Sequence, residues 1–287
     1  MSLVTVSVVI VTYNAAATLQ RSIDSVIRQS FISKELLVID GGSTDATLQI
    51  LHANRSHIVY QISEPDSGIY DAMNKGIQQA SGEWILFLGD DDQLCEEVLA
   101  RVFSKSWPDE TAMIYGKVFI NGGKKTQGAT TSYERLIAQN TPHQAIFYRR
   151  TLLQELGGYR LKYKILADYD LNLRVFKNYP NRVQFINTEV AYFSSRGVSN
   201  RTIDKAFFDD KLNEFISDGI SPGDSRLAKY YFFLAVAHSL QGQQKKAIQK
   251  MLYCIRITNQ PFYYGLLAIS FILALLGIGR RYFLANS

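Results

Sequence analysis

Cysteine is nearly absent: two residues in 287, Cys95 and Cys254. Two such distant thiols exclude a disulfide framework and the close pairs of a structural zinc site, and they suit a reducing compartment. Proline is equally sparse, at six residues, so no proline-rich linker or low-complexity tract interrupts the chain. No block of Lys and Arg interleaved with aromatics is present, and nucleic acid is not an expected partner. Met1–Val11 lacks the basic start of a secretory signal and reads as a strand. Apolar residues make up 47% and charged residues 20% of the chain, the balance of a folded protein. The net charge of +5 suits anionic substrates or an anionic membrane surface.

What is present begins with alternation. Val4–Val11 is a β-branched apolar run of the buried parallel-strand type, ending in Thr12-Tyr13-Asn14. Leu19, Ile23, Val26 and Ile27 then recur at helical spacing. Leu36–Ile39 predicts a second strand ending in Asp40-Gly41-Gly42-Ser43-Thr44-Asp45, with Ser43 or Thr44 capping a helix that turns Leu48 and Leu51 inward. Ile58–Ile62 predicts a third strand. Ile69, Met73, Ile77 and Ala80 predict the stripe of a helix stopped by Gly82. Strand–helix alternation repeated in this way predicts a Rossmann-like, doubly wound α/β layer.

The layer's focus is Trp84–Asp92, an apolar strand that ends abruptly in Asp90-Asp91-Asp92. Ligands of open α/β sheets bind at such carboxyl-terminal ends. Adjacent carboxylates repel one another, and an all-oxygen donor set suits a hard divalent ion, Mg²⁺ or Mn²⁺, bridging to substrate phosphates. Thr12–Asn14, Asp40–Asp45, Glu64–Asp71 and Asp90–Asp92 all fall at strand ends or helix starts, which share one edge of a parallel sheet. The set suits a nucleotide diphosphate with a metal ion.

Beyond Leu94 the pattern loosens. Expected elements are a helix over Glu96–Ser104, a strand over Met113–Ile120 and a helix over Tyr133–Gln139. A strand over Ala145–Tyr148 follows, then a helix opening at Ile165–Asp170. Two strands come last, Val183–Ile186 and Val190–Phe193. Ala228–Leu240 and Lys245–Ile257 predict paired helices joined at Gln241-Gly242. Phe262–Gly279 then runs for roughly 18 residues without a charge, near the lower limit for a membrane span. Tyr263, Tyr264, Arg280, Arg281 and Tyr282 flank it as interfacial anchors would. It reads as a span or as a buried or re-entrant helix. The expected organisation is residues 1–200, a helical region 201–258 and an apolar segment 259–287.

These residues also resemble a family. Val8–Asn14, Val38–Asp45 and Leu88–Asp92 are similar to the motifs of family 2 glycosyltransferases, whose fold is GT-A. Glu64–Gly76 resembles a subgroup that builds bacterial surface polysaccharides, the colanic-acid type among them, and Ala167–Arg174 resembles the family's acidic acceptor-side motif. The resemblance implies a mixed-sheet GT-A domain with a C-terminal helical extension. It implies that Thr12, Tyr13, Asn14 and Asp40 line the base and ribose of a nucleotide-diphosphate sugar, with Asp71 and Lys75 near the nucleotide. Asp91 is the implied main metal ligand, with Asp90 beside the ribose or metal, and Asp168 is the implied general base. Asp170 competes for that role, but two positions apart on a helix the pair points to different faces. His143 and Gln144 resemble an acceptor-side pair, and Arg196 lies in a lid-like loop. Gly41 and Gly89 stand where aspartates are frequent in the family, which shifts metal binding onto Asp90 and Asp91.

The implied activity is inverting, metal-dependent transfer of the sugar to a glycan or lipid-linked acceptor at the cytoplasmic face of the cell membrane. One acceptor-side base and no second nucleophile fit a single displacement. Transfer to polyprenyl phosphate, and a non-catalytic nucleotide- or glycan-binding scaffold, are the competing readings.

Overall fold

The computed structural model describes residues 4–120, 122–194 and 203–258. The loop carrying Arg196 and the apolar segment Phe262–Gly279 lie outside them. The described residues form two compact units, one from 4–136 with 140–194 and one from 137–139 with 203–258.

The first unit opens with β1 (Val6–Thr12), α1 (Leu19–Ile27), β2 (Lys34–Asp40), α2 (Thr47–Ala53), β3 (Tyr60–Ser63), α3 (Ile69–Gln79) and β4 (Trp84–Gly89). Every residue of β1 is buried, which is why it is mostly apolar on both faces; the buried Ser7 is satisfied by donating to Glu35 Oε1 at 2.5 Å. The four strands pair in parallel in the order β3-β2-β1-β4. Because β2 and β3 lie on one side of β1 and β4 on the other, the chain reverses direction across β1. A crevice opens at such a switch point, outside the strand ends. Register brings the ends together: Thr12 pairs with Asp40, and Val11 with Gly89.

Two glycines allow this packing. A Cβ on Gly76 of α3 would lie 2.5 Å from Cγ1 of Val9, so the helix sits directly on β1. A Cβ on Gly82 would lie 2.6 Å from the Ser7 amide nitrogen. Gly82 is therefore fixed by close approach to β1 and not by helix termination. The helix has already ended at Gln79, and Ala80 is extended.

After β4 come β5 (Gln93–Leu94), α4 (Val98–Phe103), β6 (Met113–Ile120), β7 (Lys125–Gln127), α5 (Tyr133–Ala138), β8 (Ile146–Arg149), α6 (Arg150–Glu155), α7 (Ala167–Asn178) and β9 (Val183–Tyr192). The sheet continues β4-β8-β6-β9-β5, with β7 on β6, and is now mixed: β8 runs antiparallel to β4 and β6, and β9 parallel to β6. The two strands expected over 183–193 are one strand whose register against β6 shifts twice near Lys117. Such a bulge breaks the two-residue alternation, so one strand looks like two. Two inward positions also differ from expectation. Leu48 and Ile69 are exposed, while Thr47 and Leu51, and Tyr70 and Met73, face inward.

The second unit is helical: α8 (Lys205–Ser217), α9 (Ala228–Leu240) and α10 (Gln244–Ile257). Asp204 caps α8 by accepting from the Phe207 amide. Phe215 meets Tyr230 edge to face at 5.3 Å, and Phe208 stacks on Phe233 at 4.6 Å. Gly242, at φ 74°, makes the turn between α9 and α10. Among the described residues no helix is long and apolar enough to cross a membrane.

Candidate active site

The ends of β1 and β2 are laced together by polar side chains. Asn14 occupies the left-handed region at φ 51°, which asparagine tolerates better than most residues. Its amide donates to Ser43 Oγ at 2.7 Å, and its Oδ1 accepts from the Thr44 amide at 2.8 Å. Neither Ser43 nor Thr44 caps α2. The helix starts after Ala46 without a side-chain cap, and Asp45, just ahead of it, accepts from the Thr47 amide through Oδ1 at 3.0 Å. Thr12 is buried; among the described residues its hydroxyl makes no hydrogen bond of good geometry, though it lies close enough to Asp90 to favour that carboxylate's charged form, while Tyr13 is 63% exposed.

Asp40 departs from its expected role as a base reader. It is 0% exposed. Its Oδ2 accepts from the Ser43 amide at 2.9 Å, the Gly42 amide at 3.2 Å and Ser63 Oγ at 2.5 Å. Its Oδ1 accepts from the Ser43 hydroxyl. Four donors on two oxygens leave a carboxylate little further capacity, so Asp40 holds the glycine loop in shape.

At the end of β4 the three carboxylates separate. Asp90 Oδ2 accepts from the Tyr13 amide at 3.3 Å, which ties the acidic turn to β1. Burial pushes the Asp90 carboxyl up to about 6; Thr12 and the Tyr13 amide pull it back, and Asp91 and Asp92 add to the rise. Asp91 is half-buried. Asp92 turns inward at 2% exposure, its Oδ1 accepting from the Ser194 amide at 2.8 Å. Burial raises its carboxyl to about 6 as well, with His143 and Gln144 opposing.

No group of three metal-ligating side chains forms among the described residues. The donor set nonetheless suits Mg²⁺ or Mn²⁺. These ions are commonly held by one or two carboxylates, with substrate phosphates and water completing the shell. Asp90 and Asp91 supply such a pair, and the rise at Asp90 is the behaviour of a desolvated anion beside other anions.

A second cluster surrounds the start of α7. Asp168 is 8% exposed. Its Oδ1 accepts from Tyr70 OH at 2.9 Å, and its Oδ2 accepts from Asn140 Nδ2 at 2.9 Å. His143 Nδ1 lies 3.6 Å from the same Oδ2. Behind this set, Asn172 Nδ2 donates to Asn140 Oδ1 at 2.9 Å, and Tyr148 OH donates to Asn172 Oδ1 at 2.6 Å. Asp168 is thus a buried carboxylate held in one orientation. Asp170, expected on the acceptor side, is instead 0% exposed and locked between Arg174 Nε at 2.8 Å and Arg160 Nη1 at 3.3 Å. His143 and the buried Gln144 interact electrostatically with Asp92, so they join the acidic turn to the Asp168 cluster.

On α3, Asp71 Oδ2 accepts from the Ser67 amide at 3.0 Å. Lys75 does not pair with Asp71; its Nζ lies 2.8 Å from Glu64 Oε1, and that contact raises its pKa. Lys75 meets a phosphate only by leaving Glu64.

Tyr70 and Asn140 were given no role from the sequence, and Asp92, named there as part of the acidic turn, turns inward instead. Tyr70 sits one position before Asp71 at the helix start, and Asn140 just ahead of Thr141-Pro142-His143-Gln144. Proximity to those motifs was the available signal.

Comparison with known proteins agrees with this architecture. A PGL/p-HBAD biosynthesis glycosyltransferase of Mycobacterium bovis is 39% identical over 208 residues, covering 70% of this chain and 81% of the relative. An uncharacterized glycosyltransferase of Mycobacterium tuberculosis is 36% identical over 178 residues, covering 59% and 68%. Among solved structures, S. aureus TarS 1–349 in complex with UDP-GlcNAc superposes with a TM-score of 0.63 at 22% identity, covering 88% of this chain and 81% of that one. The mannosyltransferase PcManGT of Pyrobaculum calidifontis, in complex with GDP-Man and Mn²⁺, gives 0.52 at 17% identity, covering 94% and 80%. The fold is therefore that of GT-A glycosyltransferases, with helices following the core domain. The model of glycosyl transferase family 2 matches residues 7–187, the span that holds both carboxylate clusters, and the chain belongs to that family.

Proposed function

We propose that this glycosyltransferase is inverting and metal-dependent. It moves a sugar from a nucleotide-diphosphate donor to a hydroxyl of a lipid-linked or polysaccharide acceptor, at the cytoplasmic face of the membrane, in bacterial surface-glycan synthesis. The observation that carries the reading is the division of carboxylates. Asp90 and Asp91 stand at the switch-point crevice, while among the described residues no arginine clamps Asp168, as Arg160 and Arg174 clamp Asp170.

In the proposed step the acceptor O–H breaks and its proton passes to Asp168. The acceptor oxygen bonds to the anomeric carbon from the face opposite the diphosphate. The anomeric C–O bond breaks, and its electron pair leaves on the nucleoside diphosphate. Tyr70 and Asn140 hold the Asp168 carboxylate for this transfer. Asp91 and Asp90 would hold a divalent ion, which would supply positive charge against the departing diphosphate. A retaining double displacement needs a second carboxylate as nucleophile, and Asp170 is engaged by Arg160 and Arg174.

The donor assignment draws support from the structural neighbours, solved with UDP-GlcNAc or with GDP-Man and Mn²⁺. The lipid-linked acceptor draws support from the glycolipid-biosynthesis name of the mycobacterial relative, and the polysaccharide alternative from Glu64–Gly76. The membrane location rests on the net charge and on the 262–279 segment. The test is proton NMR of the glycosylated product. An anomeric coupling opposite in configuration to the donor is expected, and a product that keeps the donor's configuration overturns the single displacement.

A further inference from the structure

We infer that Asp66 reads the nucleobase of the donor, and that it favours bases presenting a ring N–H over bases presenting a bare ring nitrogen. The inference rests on the nucleotide-donor reading above and adds the residue that sets base preference.

Five carboxylates lie on or beside the loops after β2 and β3, and each has a partner in the chain. Asp40 is saturated by Gly42, Ser43 and Ser63. Asp45 accepts from the amides of Ala16 and Thr47 and from the Thr47 hydroxyl. Glu64 is paired with Lys75, and Asp71 accepts from the Ser67 amide through one oxygen. Asp66 is likewise held through one oxygen: its Oδ1 accepts from the Gly68 amide at 2.8 Å, and among the described residues its Oδ2 receives no hydrogen bond. What sets Asp66 apart is where that second oxygen points.

That oxygen is aimed at the strand ends. It lies 2.7 Å from the point a Cβ on Gly41 would occupy. Gly41 donates to the Thr12 carbonyl at 2.9 Å, so the carboxylate stands over the β1–β2 junction. The loop that carries it is packed in place. A Cβ on Gly42, which sits at φ +83°, would lie 3.2 Å from the Pro65 nitrogen. With Oδ1 anchored on Gly68, the direction of Oδ2 is set before a ligand arrives.

A carboxylate oxygen accepts and does not donate. Uracil, thymine and guanine carry a ring N–H that it can accept; cytosine and adenine present a lone pair at the corresponding ring nitrogen and repel it. A site built to accept from an N–H rejects an analogue that lacks one strongly, because the buried acceptor is left unpaired.

The experiment is calorimetric titration of UDP, GDP, CDP and ADP in Mn²⁺, with the full chain and with Asp66→Asn, thermal melting serving as the folding control. In the variant the remaining oxygen keeps the Gly68 amide, and an NH₂ group faces the base. The wild type is expected to prefer UDP or GDP. Asp66→Asn is expected to weaken that nucleotide by roughly tenfold or more while narrowing or reversing its margin over CDP. Gly41→Ala, which displaces the carboxylate, is expected to act in the same direction and to add little once Asp66 is replaced. Unchanged affinity and ranking in Asp66→Asn overturns the inference and leaves the donor reading intact. A wild type that binds none of the four nucleotides removes that reading, and the inference with it.

Discussion

Replacing Asp168 with Asn tests the acceptor-side chemistry at nearly constant shape. The amide cannot take the acceptor proton. Loss of a positioned general base lowers the rate by about 10²–10⁴-fold, equivalent to about 3–5 kcal/mol in the barrier. The structure also predicts that the fold tolerates the change. Turned with its oxygen toward Asn140 Nδ2, which donates to Asp168 Oδ2 in the native arrangement, the amide places its NH₂ against the Tyr70 oxygen. Tyr70 OH keeps its proton on the Ile165 carbonyl at 2.6 Å and accepts from that NH₂. Asn140 keeps Asn172 Nδ2 and the Thr141 amide, both of which donate to its Oδ1. No buried donor is left unpaired, so the ~1–3 kcal/mol cost of an orphaned group is avoided. The assay follows acceptor glycosylation and nucleotide binding in parallel with thermal melting. Transfer should collapse while nucleotide affinity and Tm hold. Transfer within tenfold of wild type refutes the base assignment; a fall in Tm of many degrees refutes the hydrogen-bond account around Tyr70 and Asn140.

Other outcomes follow from the same geometry. Tyr70→Phe removes the hydroxyl that donates to Asp168 Oδ1 and should slow transfer by about tenfold with donor binding unchanged, as separate kcat and KM measurements would show. Chelation of divalent ions should abolish donor turnover and added Mn²⁺ or Mg²⁺ restore it, and Asp91→Asn should resist that restoration. Burial places the folded Asp92 carboxyl at about 6, above its ordinary 3.8, so its ionisation opposes folding. Its contribution is favourable at low pH and is lost as pH rises through about 6, up to about 3 kcal/mol. In metal-free protein the Tm advantage of Asp92→Asn over wild type should therefore grow between about pH 4 and pH 7; an advantage constant with pH contradicts the burial argument. Gly76→Ala presses a methyl into the buried Val9, 2.5 Å from Cγ1. It should lower stability by ~1–3 kcal/mol despite alanine's better helix propensity, a net loss readable by denaturant titration.

The parallel half of the fold was legible because its physics is local. A strand buried on both faces is mostly apolar, as β1 and β4 are, and the polar residues that stop each one fall at the shared edge. The bulged strand β9 was not legible as one element, because its shifts of register interrupt the alternation that marks a strand. Helix α8 went unnamed although Phe208, Leu212 and Phe215 follow helical spacing after the Asp204 cap; the signal was present and unused. The site divides in the same way. Motif positions single out Asp90, Asp91 and Asp168 as candidates. Whether a carboxylate faces the crevice or the protein depends on partners distant in sequence, such as Ser63 for Asp40 and Arg160 for Asp170. Asp66 was hidden for a related reason: its importance comes from the missing side chain at Gly41, a contact that exists only in three dimensions.

The most direct test of the central claim is nucleotide release from a panel of UDP-, GDP- and TDP-sugars by the purified protein, with and without Mn²⁺, paired with metal-dependent nucleotide binding. The account predicts that a donor is bound and turned over only with the metal present, and that Asp91→Asn loses both. Absence of turnover together with absence of metal-dependent binding across the whole panel would contradict it, and would move the chain to the non-catalytic scaffold reading.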